Sequence, residues 1–217
     1  MVNAIHIEAC VSSLETAQAA IDGGADRLEL CDFKEPDGIT PSFALLEQIL
    51  KTSPIPVHVL VRPRGGNFVF AAEGEVANMV GQVLDVRTAG AAGVVIGALT
   101  PAGGVDQTLT ALLVEKAHPL AVTFHRAFDA IPEPLVALEV LVNLRAQRVL
   151  TSGHAPDACL GVPGLGRLVR AAGKRIGIIA AGGIRDHNVV RIVRETGARE
   201  IHSRGDIGAI VRALKAG

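Results

Sequence analysis

Neither tryptophan nor tyrosine occurs in the chain, and phenylalanine occurs only six times. Without aromatic residues beside basic clusters, the stacking platform that usually holds single-stranded nucleic acid is missing. Charge of one sign is also lacking. Lys and Arg total 21 against 22 Asp and Glu, for a formal net charge of -1. That balance recruits neither nucleic acid nor an anionic membrane surface. No apolar run approaches the roughly 18 residues of a membrane span. Met1-Val2-Asn3-Ala4 has neither a charged leader nor an apolar signal core, so no secretory leader is expected there. The three cysteines are widely spaced, with no Cys-X-X-Cys. This argues against a disulfide framework, a zinc ribbon and a thioredoxin-type motif, and fits a reducing cytosol. Met1 and Met79 are the only methionines, which excludes a thioether-rich copper site.

What is present is aliphatic. Hydrophobic residues make up 49% of the 217, enough for one barrel-sized domain. Short apolar runs alternate with amphipathic stretches. Strands are predicted at Ile5 to Ala9, Arg27 to Leu30, Val57 to Val61, Gly93 to Ile96, Ala121 to Phe124, Arg148 to Leu150, Arg175 to Ile179 and Glu200 to Ile201. Helices are predicted at Ser13 to Asp22, Ser42 to Lys51, Glu75 to Ala89, Gln107 to Lys116, Glu133 to Leu144, Val162 to Ala172, Asn188 to Glu195 and Asp206 to Lys215. Ser12 or Ser13 ahead of Glu15 marks a helix start. Gly23-Gly24 and Gly90 mark helix ends. The alternation implies a parallel sheet with right-handed crossovers. Eight units suggest an α/β fold closed as a (β/α)8 barrel, one domain over residues 1–217. The rival is an open doubly wound sheet, but no Gly-X-Gly-X-X-Gly follows the first strand to support its nucleotide-binding form.

Such barrels carry their sites at the C-terminal ends of the strands, and here the ionisable residues gather at those ends. Cys10 and Cys31 each close the phrase Glu-X-Cys. With alternate side chains on one face, Glu8 and Cys10 face the same way, as do Glu29 and Cys31. The third strand ends in Arg62-Pro63-Arg64, two guanidinium forks that match a carboxylate or phosphate. The fifth ends in His125-Arg126-Ala127-Phe128-Asp129, the seventh in Gly182-Gly183 and the eighth in His202. Glu8 and Glu29 are candidate proton acceptors, His125 a candidate acid or base, and Asp129 a group to orient it or to pair with an arginine. Arg62, Arg64, Arg126, Gly182, Gly183 and His202 are the candidate anion-binding set. The same glutamates and arginines also fit a structural ion-pair network. Asp206, as the cap of the last helix, would use the N–H groups that an anion would want. His58 lies deeper in its strand and reads as core. His6, His118, His154 and His187 read as surface or loop, and Cys159 as a small buried hydrophobe.

Two thiols on neighbouring strands can hold a soft ion such as Cu(I), or pack as small apolar groups. Zinc would need further ligands, with His125 or His202 nearest to hand. The motifs together resemble the CutC copper homeostasis family. They are Glu8-Ala9-Cys10, Gly23-Gly24-Ala25-Asp26-Arg27-Leu28-Glu29-Leu30-Cys31 and Gly38-Ile39-Thr40-Pro41-Ser42. Val61-Arg62-Pro63-Arg64-Gly65-Gly66-Asn67-Phe68, Val122-Thr123-Phe124-His125-Arg126-Ala127-Phe128-Asp129, Leu150-Thr151-Ser152-Gly153, Gly182-Gly183-Ile184-Arg185 and Ile201-His202-Ser203 continue the series. The resemblance implies a TIM-type barrel, a cytoplasmic location, a role in copper tolerance and Cu(I) on Cys10 and Cys31, with no organic cofactor. A departure from the family is the short Ser203-Arg204-Gly205 segment before the final helix, which shortens any lid or oligomer contact made there. Two expectations stand. One is a copper-handling protein that binds Cu(I) at the barrel mouth. The other is a barrel enzyme on a small anionic metabolite, working by acid/base chemistry. The expected partners are that ion or metabolite and a second copy in a homo-oligomer, with no nucleic acid or membrane.

Overall fold

Eight parallel strands pair in chain order and close on themselves, each followed by a helix. The strands are β1 (His6–Val11), β2 (Arg27–Leu30), β3 (Val57–Leu60), β4 (Gly93–Ile96), β5 (Ala121–Phe124), β6 (Arg148–Thr151), β7 (Gly177–Ala180) and β8 (Glu200–Ser203). The helices are α1 (Leu14–Asp22), α2 (Phe43–Thr52), α3 (Glu73–Ala89), α4 (Gln107–Ala117), α5 (Pro134–Asn143), α6 (Val162–Ala172), α7 (Asp186–Thr196) and α8 (Ile207–Ala216). This computed structural model describes residues 5–35 and 37–217. Met1–Ala4, the stretch read as leader-free, lie outside them. None of the helices in the described residues is long and apolar enough to cross a membrane.

The strands read as near-continuous apolar runs because both their faces are covered. Leu28 and Leu30 of β2 face the helix layer and are fully buried in the main core, with Ile49, Met79, Leu113 and Leu141. Each such side chain contributes about 1.5–3 kcal/mol. The opposite face of β2 carries Arg27 and Glu29, followed by Cys31, toward the barrel axis. A separate apolar cluster of Cys31, Leu60 and Val95, with Cys10 and Phe33 against it, and another of Leu150, Ile179 and Ala181 do not join the main core.

Local chemistry sets the helix ends. Ser13 caps α1 by accepting the Thr16 N–H at 3.1 Å, while the Thr16 hydroxyl accepts the Ser13 N–H at 3.0 Å. Gly90 ends α3 at φ 87°, a left-handed backbone that favours glycine. Asp206 caps α8 by accepting the Ala209 N–H at 2.9 Å, as expected. Four strands outrun their predicted ends, β6 and β7 by one residue each and β1 and β8 by two. β1 continues to Val11, which pairs with Leu30, and β8 continues to Ser203, which pairs with Ala9. β7 starts two residues later than expected, because Arg175 is engaged elsewhere. Its guanidinium meets both Glu139 oxygens at 2.6 and 2.7 Å. A 3-10 turn at Arg126–Ala130 follows β5 and was not expected.

Candidate metal and anion site at the barrel mouth

The barrel interior is organised by an alternating line of charges. Arg148 Nε donates to Glu200 at 3.1 Å, and Arg27 Nη2 donates to the same Glu200 oxygen at 2.8 Å. Arg27 Nε donates to Glu8 at 2.6 Å, and Glu8 in turn meets His202 Nδ1 at 2.8 Å. Glu29 lies 3.2 Å from that same nitrogen, without hydrogen-bond geometry. Cation and anion therefore alternate through six groups, from the starts of β6, β8 and β2 up to the mouth. Strand register dictates the contacts. Glu8 stands beside Arg27 on one side and beside His202 on the other, and Cys10 beside Glu29.

Above this line lies a cavity of about 570 Å³. Cys10, Glu29, Cys31 and His202 line it. The two sulfur atoms are 3.1 Å apart, and all three cysteines are free. Ligand atoms of Cys10, Glu29 and His202 lie within 4.8 Å of one another. The hydrogen bond to Cys31, burial and the Glu29 charge push the Cys10 thiol well up. Burial and the neighbouring Glu8 raise Glu29 to about 7, although His202 opposes this. Burial disfavours a charge on His202, but Glu29, Cys10 and Glu8 together hold its pKa well above the ordinary 6.5. Burial would also raise Glu8, but the His202 hydrogen bond and the His202 and Arg27 charges drive it far below the usual carboxylate range.

Ten of the twelve expected site residues line this one cavity: Cys10, Glu29, Cys31, Arg62, His125, Arg126, Asp129, Gly182, Gly183 and His202. Glu8 and Arg64 do not. Glu8 is fully buried beneath the mouth, between Arg27 and His202. Arg64 turns to Glu75, to the carbonyls of Asn67 and Val69, and to the Phe70 ring, and so holds its own loop. Arg62 braces the mouth by donating to the carbonyls of Gly38 and Gly66, both at 2.9 Å. Asp129 pairs with Arg126 at 2.9 Å and accepts from the Ser152 N–H and hydroxyl and from Thr151. It does not orient His125, whose Nδ1 accepts the Ala127 N–H at 3.1 Å. His58 is buried as expected, and burial pushes it down to about 3. Sequence reasoning did not assign Arg27, Arg148 or Glu200 to the interior, nor Phe33 to the mouth, and it left Arg185 and Arg204, at the ends of the seventh and eighth strands, out of the candidate site. Arg204 stacks over Phe33 at 3.5 Å. The signal for Arg27 was there: it stands two residues before Glu29 and so shares its face.

A family model described as the CutC family matches residues 5–207. The copper homeostasis protein cutC homolog of Homo sapiens is 43% identical over 200 residues, covering 92% of this chain and 73% of the human protein. A family protein CutC of Pasteurella multocida (strain Pm70) is 41% identical over 201 residues, covering 93% of this chain and 82% of its own. A crystal structure of a CutC protein from Streptococcus agalactiae matches with TM-score 0.87 and 30% identity, over 92% of this chain and 98% of that one. A structure described as QR15, an aldolase, matches with TM-score 0.72 at 17% identity and shares the fold alone. With a family model spanning nearly the whole sequence and relatives above 40% identity, the chain belongs to the CutC family of copper homeostasis proteins.

Proposed function

We propose that this protein takes part in copper homeostasis by binding Cu(I) through Cys10 and Cys31 at the barrel mouth, in the reducing cytosol. Copper is its cargo. The observation that carries this reading is the 3.1 Å approach of two free thiols on neighbouring strands, in the wall of one cavity. Thiolate sulfur is a soft donor of the kind that Cu(I) favours, as zinc and iron–sulfur centres also do. The donor set fits such an ion. Two sulfurs supply soft ligands, and the His202 imidazole lies within reach of Cys10. Glu29 beside them could take up a proton that a thiol gives up, since it is held near neutrality.

A raised thiol pKa makes binding proton-linked, because the metal must displace the thiol protons. Cu(I) affinity should therefore rise with pH, by about tenfold per unit for each proton released to solvent on binding, a proton kept by Glu29 not counting. The test is competition against a Cu(I) chelator under reducing conditions. The Cys10→Ser, Cys31→Ser double variant should lose the site, and the parent should show the pH slope. Unchanged affinity in the double variant would overturn the assignment.

A further inference from the structure

The mouth also contains a donor that the thiols do not use. His125 lines the cavity and is only 6% exposed. Its Nδ1 accepts the Ala127 N–H at 3.1 Å, so that nitrogen must carry a lone pair. The neutral ring then carries its proton on Nε2. Among the described residues nothing accepts from Nε2, although the atom is buried. The ring stays neutral across the physiological range, because burial and then the Arg62 charge push it down to about 3.

The imidazole is also fixed in place. It lies against Gly97, where a Cβ would collide with it. Phe68 and Phe124 pack on it with ring centroids at 5.1 and 6.0 Å. The result is an immobile, uncharged N–H without an acceptor, in a wall that carries more fixed cations than anions. Arg62, Arg126, Arg185 and Arg204 line the cavity against Glu29, Asp37 and Asp129. A buried donor of this kind is satisfied by an oxygen that arrives with a ligand. The guanidinium groups favour a negative charge on the same molecule.

We propose that the mouth binds a small organic carboxylate, with one ligand oxygen accepting from His125 Nε2–H. The site goes beyond copper binding and does not need the thiols. A carboxylate fits better than a phosphate. At the start of α8, near the usual phosphate cradle of such barrels, the Asp206 carboxylate already takes the Ala209 N–H. That side chain would also repel a dianion.

The experiment uses the full chain with ¹⁵N-labelled histidine. Acetate, pyruvate, succinate and inorganic phosphate serve as probes. Ring nitrogen shifts report the His125 environment, and calorimetry gives affinities. At least one carboxylate should move the His125 Nε2 resonance. His125→Phe should weaken that carboxylate by about tenfold or more, as expected for loss of one hydrogen bond to a charged group. His125→Gln, which keeps an N–H donor, should recover most of the loss. The Cys10→Ser, Cys31→Ser variant should bind the carboxylate like the parent, which separates this site from the copper site. The proposal fails if no carboxylate perturbs His125, if only phosphate does, or if the phenylalanine variant binds like the parent. The ring shifts in the parent decide the matter even where that variant does not fold.

Discussion

Arg27 joins two carboxylates of the interior. It bonds Glu8 and Glu200 at once, and its side chain is 3% exposed. Removing one partner of a buried ion pair leaves charge without compensation, which costs about 3–5 kcal/mol. Arg27→Met is therefore expected to lower unfolding stability by about that much, read as the loss of free energy in urea titration. A loss under 1 kcal/mol would mean that Glu8 finds other partners. The residue scale is also where sequence reading reached its limit. The two Glu-X-Cys phrases disclose a shared face, because alternation along a strand needs nothing beyond the strand itself. Depth along the axis is not disclosed, because it depends on the stagger between strands. Glu8 thus lies below the mouth while Glu29 reaches it. Arg64 lies past the end of β3, where alternation no longer governs direction, and its side chain follows the loop to Glu75. Arg27 and Glu200 open strands that were recognised from their apolar residues, and neither charge was given a place in the site.

Among the elements, the boundaries of β2, β4, β5 and α6 follow directly from the apolar pattern and its flanking glycines. Ends set by barrel closure, such as those of β1 and β8, do not. β4 and the residue after it have a separate part in the site. At Gly93 a Cβ would stand 2.6 Å from the His58 ring, and at Gly97 it would collide with the His125 ring. Each glycine gives room to an imidazole from a neighbouring strand. Overpacking of this kind costs about 1–3 kcal/mol. Gly93→Ala, which also meets the Ala121 carbonyl at 2.8 Å, should lower the urea midpoint accordingly. Gly97→Ala should displace the His125 ring resonances as well as destabilise the fold. Parent-like spectra and stability in both variants would contradict this packing.

For the whole molecule, the buried titratable groups define two limbs of stability against pH. His58 and His125 are held down to about 3 from an ordinary 6.5. Below pH 6.5 the unfolded chain takes up protons that the folded one refuses, so stability falls from 6.5 toward 3. Glu8 adds to this limb: its stabilisation is present above its ordinary 4.5 and is lost as pH falls through its lowered folded value. Glu29 and His202 act in the opposite direction. Their folded values are raised, so the stabilisation from Glu29 is complete below 4.5 and is lost as pH rises through about 7. That from His202 is complete below 6.5 and is lost at its higher folded value. Urea midpoints measured from pH 8 to pH 3 should pass through a maximum, and His58→Gln should make the acid limb shallower. An unchanged acid slope in that variant would sink this account. The line of charges has a further consequence for how the protein is made. Glu8, Arg27 and Glu29 are synthesised well before Glu200 and His202. A nascent polypeptide on the ribosome can pair Glu8 with Arg27, but Glu29 must stay hydrated and the pair stays incompletely neutralised until Glu200 and His202 have been translated.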